Sequence, residues 1–415
     1  MKLQKFSRQL IRLSMLAYVL WLMPAVRTTG GAIAGAACIL LFGLGVLMDV
    51  EALKKEWLHL LGRAACAALM PLFLIRFLNR GGEQPLGFYV QNAMMWFPLV
   101  FAGHVRSVGD KQLWKFLRHV LLGATVITLL TTIGWLIEGF FSGVYGSSYS
   151  RMLGNGDADL ADYRKMLMLR NIGGYDFIYA MVISLPFSFI GMERSRGWRR
   201  WAFVLFIILQ LAAIGLSEYT SALLCSGMIL FVECAAALIR IISRKRVSAG
   251  ASLLCGCLLL LVPVIFAKPL LTLLIQLSGQ LELTFVTNNL NQVLTALQGG
   301  AISSSNRLSY YLTALEGIRQ SPITGALFGG EKLLSYHSDI MDLISGTGIL
   351  GACAAGVMFW LMGRGSLRGW KQHPCKWQLC TVYGALLLVS TLGTVVYSCD
   401  IMSVVMLGTL LVMES

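Results

Sequence analysis

Long apolar runs alternate with short polar connectors along almost the whole chain. The runs cover about Leu13–Ala25, Gly31–Met48, a stretch ending near Phe77, Gly87–Ala102 and a stretch reaching Phe140. Further runs cover about Gly174–Met192, two stretches meeting at the turn Ser217–Thr220, and Ser248–Ala267. The last three are about Gly346–Met362, Trp377–Tyr397 and Ile401–Val412. Most approach the ~20 residues that a helix needs to cross a bilayer. They are continuous rather than alternating, which excludes a membrane barrel. The pattern predicts an all-α polytopic membrane protein, a single membrane domain over residues 1–415, with about twelve transmembrane helices. Val26–Gly30 reads as a tight turn between the first two spans, and Glu51–Arg63 as a connector.

Two polar stretches are too long to be connectors: residues 142–173 and residues 268–345, the latter between spans nine and ten. The second is the more structured. Ser303, Ser304 and Ser305 offer helix caps, and Leu308, Tyr311, Leu312, Leu315 and Ile318 recur at helical spacing with Arg307 near the start. Ser321-Pro322 ends that helix, because a residue before proline leaves the helical region. Thr324-Gly325 and Gly329-Gly330 form a turn. A second amphipathic piece, about Glu331–Ile344, carries His337, Asp339 and Asp342 and leads into Gly346-Thr347-Gly348, where backbone can approach closely.

The formal net charge of +14 changes the picture only in placement. Most lysines and arginines lie between spans, near Arg63, Arg199 and Arg364 for example, and set topology rather than bind nucleic acid. This predicts cytoplasmic N- and C-termini, with both long loops on the extracytoplasmic side. The leading MKLQKFSRQLIR resembles a signal sequence without a clear cleavage site, so it reads as an uncleaved first span. Trp114 and Phe116 suit the membrane interface. The ten cysteines fall mostly within apolar runs, with no C-x-x-C pair, and read as small buried residues.

Charged residues near or inside spans are functional candidates by default: Glu138, Asp176, Glu218, Glu233 and Asp400. Asp176 follows Arg170 by six residues and could orient it; Glu233 has no evident role. Asn155, Asp157, Asp159 and Asp162 form an acidic cluster in the first long loop. Asp157-x-Asp159 has the look of a metal-binding pair, but Leu160 occupies the glycine position of a calcium loop and no closing glutamate follows. The expectation is a solvated loop pairing with Arg151 or Arg164, with no metal and no cofactor. There is no nucleotide-binding glycine motif.

The combination of Arg307 opening an amphipathic helix, Ser321-Pro322-Ile323-Thr324-Gly325, His337, and Gly346-Thr347-Gly348-Ile349-Leu350-Gly351 entering a span resembles the O-antigen ligase and O-antigen polymerase family. Arg170-Asn171-Ile172-Gly173 resembles that family's other arginine site. Ser338 and Asp339 follow the histidine where family members often carry asparagine. The resemblance implies a GT-C-like, metal-independent, inverting glycosyltransferase of the bacterial cytoplasmic membrane. It would take glycan from a polyprenyl-diphosphate carrier at the outer face and join it to a glycan or lipid-glycan acceptor. It further implies polysaccharide polymerisation ahead of ligation, with a chain-length regulator and a flippase as partners. His337 would be the general base, and Arg170 and Arg307 would hold the diphosphate. Asp176, Tyr310, Arg319 and Asp339 would support them. The competing reading is a lipid-linked oligosaccharide flippase or another transporter, which usually shows broken helices in two repeated halves.

Overall fold

The computed structural model describes residues 2–78, 93–98, 111–142, 161–244, 267–280, 306–328, 333–366, 375–393 and 398–413, with a few isolated positions between them. Among these residues the protein is helical, without strands. Six described helical stretches are long and apolar enough to cross a membrane: Pro24–Met48, Gln112–Phe141, Tyr175–Arg194, Trp198–Leu216, Ser221–Leu238 and Asp339–Met358. Trp57–Met70 and Cys399–Met413 are shorter apolar helices. The protein is therefore a helical membrane protein.

The chain begins with an antiparallel hairpin of α1 (Lys2–Trp21) and α2 (Pro24–Met48). Its arms are joined by the hydroxyls of Ser7 and Ser14, which donate to the carbonyls of Gly45 and Cys38, and by the Trp21 indole, which donates to Gly31. The expected turn at Val26–Gly30 is instead helical. This short helical piece is the reversal of the hairpin: the chain breaks before it at Leu22–Met23, where Pro24 suits the first turn of a helix because a missing N–H costs nothing there, and after it at Gly31 (φ 48°, ψ −136°). Helix α3 (Val50–Leu78) absorbs the expected connector Glu51–Arg63. Helix α4 (Lys111–Phe141) begins earlier than its apolar run, and Trp114 in its first turn is packed against the core while Phe116 is exposed.

A short α5 (Ala161–Leu169) precedes the central helix, α6 (Tyr175–Arg194). Helices α7 (Trp198–Leu216), α8 (Thr220–Arg244), α12 (Lys376–Leu392) and α13 (Cys399–Met413) pack around α6. Most side chains of α6 are buried on all sides, as expected for a helix apolar all round. Polar contacts tie it to its neighbours: Gln210 of α7 donates to the Ser184 hydroxyl at 2.6 Å and accepts from Ser188 at 2.8 Å, and Tyr179 pairs with Ser221 of α8. Such bonds act as glue between helices in lipid. Helix α13 serves two cores at once. Its Met402, Met406, Leu407 and Leu410 pack with α1, α2 and α4, while Ile401 and Val405 pack with α6, α7 and α8.

The remaining described helices are α9 (Ala267–Gln280), α10 (Asn306–Gln320) and α11 (Asp339–Ser366). Helix α10 ends at Gln320, as Ser321-Pro322 predicts. The expected amphipathic piece over Glu331–Ile344 is helical only in its second half. Residues 333–338 are irregular, and helix starts only at Asp339, running on through a kink at Gly348. Nearly all of the proposed ninth span, residues 281–286 and the Ser303–Ser305 caps lie outside the described residues, as do half of the fourth span and Asn155, Asp157 and Asp159.

Candidate functional site

The interlock between α10 and α11 fixes the local geometry. Gly348 takes φ 64°, ψ −176° inside α11, a conformation that favours glycine. A Cβ there would lie 2.2 Å from the Ile323 carbonyl oxygen. The kink frees N–H groups of α11 to pair with the 321–326 turn. Ile349 donates to the Pro322 carbonyl at 2.9 Å, Leu350 donates to Ile323 at 3.1 Å, and Ala326 donates to Gly346 at 3.0 Å. The two glycine-containing motifs singled out in the sequence are thus one built unit, with its backbone groups mutually satisfied.

That unit holds the loop carrying His337. The Asp342 carboxylate of α11 accepts from the Ser335 N–H at 2.6 Å, the Ser335 hydroxyl at 2.7 Å and the Tyr336 N–H at 2.8 Å. The Ser335 hydroxyl oxygen in turn accepts from the N–H groups of His337 and Ser338, both at 3.1 Å. Ser338 then caps α11 by accepting from the Met341 N–H. These competing side-chain bonds explain why 333–338 is not helical: the serines and Asp342 offer the backbone an alternative to the helix ladder. Tyr336 bears positive φ at the sharpest point. Asp339, buried, donates its N–H to the Gly393 carbonyl at the end of α12, so the loop is pinned to a third element.

His337 is half-buried, its ring 5.1 Å from that of Tyr310 on α10 and near enough to Asp342 to act on its charge. Tyr310, Ala314 and Gly317 share one face of α10 at helical spacing. Ala314 is fully buried and Gly317 lies against Ser345 and Leu333. Arg307 lies one turn before Tyr310, in the first turn of α10. Arg319 is exposed at the far end of α10, away from His337.

Arg170 ends α5 and is exposed. The anchor of its motif is Asn171. Its side-chain amide donates to Thr128 at 3.0 Å, its carbonyl accepts from the Thr131 hydroxyl at 2.6 Å, and its side-chain oxygen accepts from the Ala25 N–H at 3.4 Å. Asp176 does not turn towards Arg170. Its carboxylate is hydrogen-bonded by Ser398 and lies within the field of Arg27 and Asp400.

Arg27 and Asp400 are what sequence reading missed as a pair. The guanidinium donates twice to the Asp400 carboxylate, at 3.1 and 3.2 Å, joining α2 to α13. Their side chains are 22% and 9% exposed. Nearby, Tyr18 of α1 bonds to Ser403 at 2.6 Å and donates to the Met94 carbonyl. Misplacing Arg27 in a turn hid the pairing, because a helical Arg27 faces α13. The His337 loop reaches this cluster through Gly393, which lies beside the Tyr175 hydroxyl, next to Asp176. All these groups gather at one end of the bundle, where α2, α6, α11 and α13 begin.

Among the described residues, no group of three His, Cys, Asp or Glu side chains has metal-binding geometry. Asp162 is exposed in the first turn of α5. Glu233 is buried within α8, and Glu218 is buried in the turn between α7 and α8. No family model matches the chain, and neither does any characterised protein or solved structure.

Proposed function

We propose that the protein is a membrane-embedded, metal-independent glycosyltransferase of the O-antigen polymerase or ligase kind, acting on a polyprenyl-diphosphate-linked glycan at the outer face of the bacterial cytoplasmic membrane. In this reading the chain has about twelve spans in a GT-C-like arrangement with both termini cytoplasmic. The observation that carries the proposal is the seating of His337 against Tyr310, on the helix α10 whose first turn holds Arg307.

The chemistry fits these groups. A diphosphate leaving group carries concentrated negative charge, and guanidinium forks of Arg307 and Arg170 match phosphate oxygens in pairs. The attacking sugar hydroxyl loses its proton as it reaches the anomeric carbon. Neutral histidine suits that task, with an ordinary pKa of ~6.5. Taking the proton leaves an imidazolium, and the Asp342 carboxylate beside His337 favours it electrostatically. Direct displacement inverts the anomeric centre. Tyr310 and Asp339 hold the ring and its loop, and Asp176 acts with Arg27 and Asp400 to brace the same end of the bundle.

A lipid-linked oligosaccharide flippase is the second reading, favoured by the buried Arg27–Asp176–Asp400 cluster. Purified protein incubated with a defined polyprenyl-diphosphate glycan and a glycan acceptor separates the two. The glycosyltransferase yields a product heavier by one donor glycan, and the same yield in EDTA. Unchanged donor and acceptor, with donor moved across a vesicle membrane, would establish the flippase.

A further inference from the structure

The opposite end of the bundle carries a second feature. The segment from Glu193 to Trp201, which joins α6 to α7, contains Arg194, Arg196, Arg199 and Arg200. Arg196, Arg199 and Arg200 are exposed, as are Trp198 and Trp201, at 76% and 72%. The Arg199 guanidinium lies 6.0 Å from the centre of the Trp198 ring. The start of α12 is held beside this turn by two contacts: Gln378 donates to the Glu193 carboxylate at 3.1 Å, and the Arg194 guanidinium lies 3.2 Å from Nε2 of His373. That placement adds Lys376 and Trp377, both exposed, to the same rim although they are distant in sequence. Glu193 is the one acid within residues 193–201 and 373–378, and Gln378 already engages it.

We propose that this rim binds the headgroup of an anionic phospholipid. Exposed indoles at the ends of apolar helices belong at headgroup depth, where an amphipathic ring is partly apolar and partly wet. Between them stand guanidinium groups that pair with phosphate oxygens. Helix α7 begins here without a side-chain cap, so its first N–H groups add to the positive field. A soluble polyanion would use the arginines but leave the three indoles exposed to water, whereas a lipid occupies both. The proposal is independent of the catalytic reading, because none of these residues belongs to the His337 site.

The test uses the full-length protein reconstituted in a bilayer of equal phosphatidylglycerol and phosphatidylcholine, then stripped with detergent, with retained lipid identified by mass. Wild-type protein retains phosphatidylglycerol at least about tenfold over phosphatidylcholine. Each surface cation is worth about fivefold in attraction to an anionic headgroup. R196Q/R199Q/R200Q therefore drops the preference at least about tenfold, while the triple lysine variant keeps most of it. Equal retention of both lipids by wild-type protein overturns the proposal without any variant having to fold. So does unchanged preference in the folded glutamine variant, full displacement by excess inorganic phosphate, or retention of RNA in place of lipid.

Discussion

Replacing Arg27 by leucine removes the guanidinium of α2 that faces two carboxylates, Asp400 of α13 and Asp176 of α6. The two bonds to Asp400, at 3.1 and 3.2 Å, disappear, and Asp176 loses the nearest opposing charge. Breaking a buried ion pair from one side costs ~3–5 kcal/mol, because the remaining charge stays desolvated and unpaired. Arg27 keeps 22% of its side-chain exposure, which places the cost at the lower end, about 3 kcal/mol. Asp400→Leu in the same chain removes the stranded charge. The double variant R27L/D400L therefore recovers at least about half of the loss, since an apolar pair of similar volume replaces an ion pair without large penalty. The assay is reversible unfolding of purified protein in mixed micelles, with both single variants completing the cycle. A loss under ~0.5 kcal/mol for R27L would show that water already screens the pair. A double variant no more stable than R27L would refute the reasoning that the stranded carboxylate carries the cost.

Gly348→Ala drives a Cβ to 2.2 Å from the Ile323 carbonyl oxygen and strains a left-handed backbone, so it should cost more than ~3 kcal/mol and lower folded yield in fluorescence-detected size exclusion. Asp342→Ala removes the acceptor for three donors, and hydrogen exchange at the Ser335 and Tyr336 amides should rise at least about tenfold while α6 amides stay protected. His373 is held below its ordinary 6.5 by burial and then by Arg194. A histidine whose folded value is depressed contributes stability that is complete above 6.5 and is lost as pH falls from there through the folded value. The neutral ring can accept from one of the N–H donors it faces, on Arg194 and Cys375, and a protonated ring accepts from neither, while the Val412 carbonyl, accepting from the ring, offsets only part of the shift. Thermal midpoints of wild-type protein should therefore fall further than those of H373Q as pH drops below 6.5.

Several spans were legible because bilayer-length apolar runs are a strong signal, although the ends of α2, α3, α4 and α11 were not. Helices α6, α7, α8 and α13 lie close to their sequence-predicted bounds. A close backbone approach at Gly346-Thr347-Gly348 was anticipated, since glycines mark such places, but without its partner, the Ser321–Gly325 turn. The 333–338 loop was not. Leu333, Leu334, Ile340 and Ile344 give helical periodicity, and nothing local reveals that Asp342 and Ser335 will outcompete the ladder. The packing of Trp114 into the core was not legible, because an aromatic among basic residues looks lipid-facing until the helix it joins is packed. The Arg27–Asp400 pair spans almost the whole chain, so no window of sequence contains it. Proline at residue 24 could have signalled that Arg27 is helical.

The central claim is that His337 takes the proton in glycan transfer. Turnover of His337→Ala, measured per correctly folded molecule on a polyprenyl-diphosphate glycan, tests it most directly when donor binding is measured in the same preparation. Loss of a general base lowers the rate ~10²–10⁴-fold and leaves donor affinity nearly intact, so the account predicts a fall in turnover with little change in binding. Wild-type turnover per folded molecule would contradict the account and leave His337 as a packing partner of Tyr310.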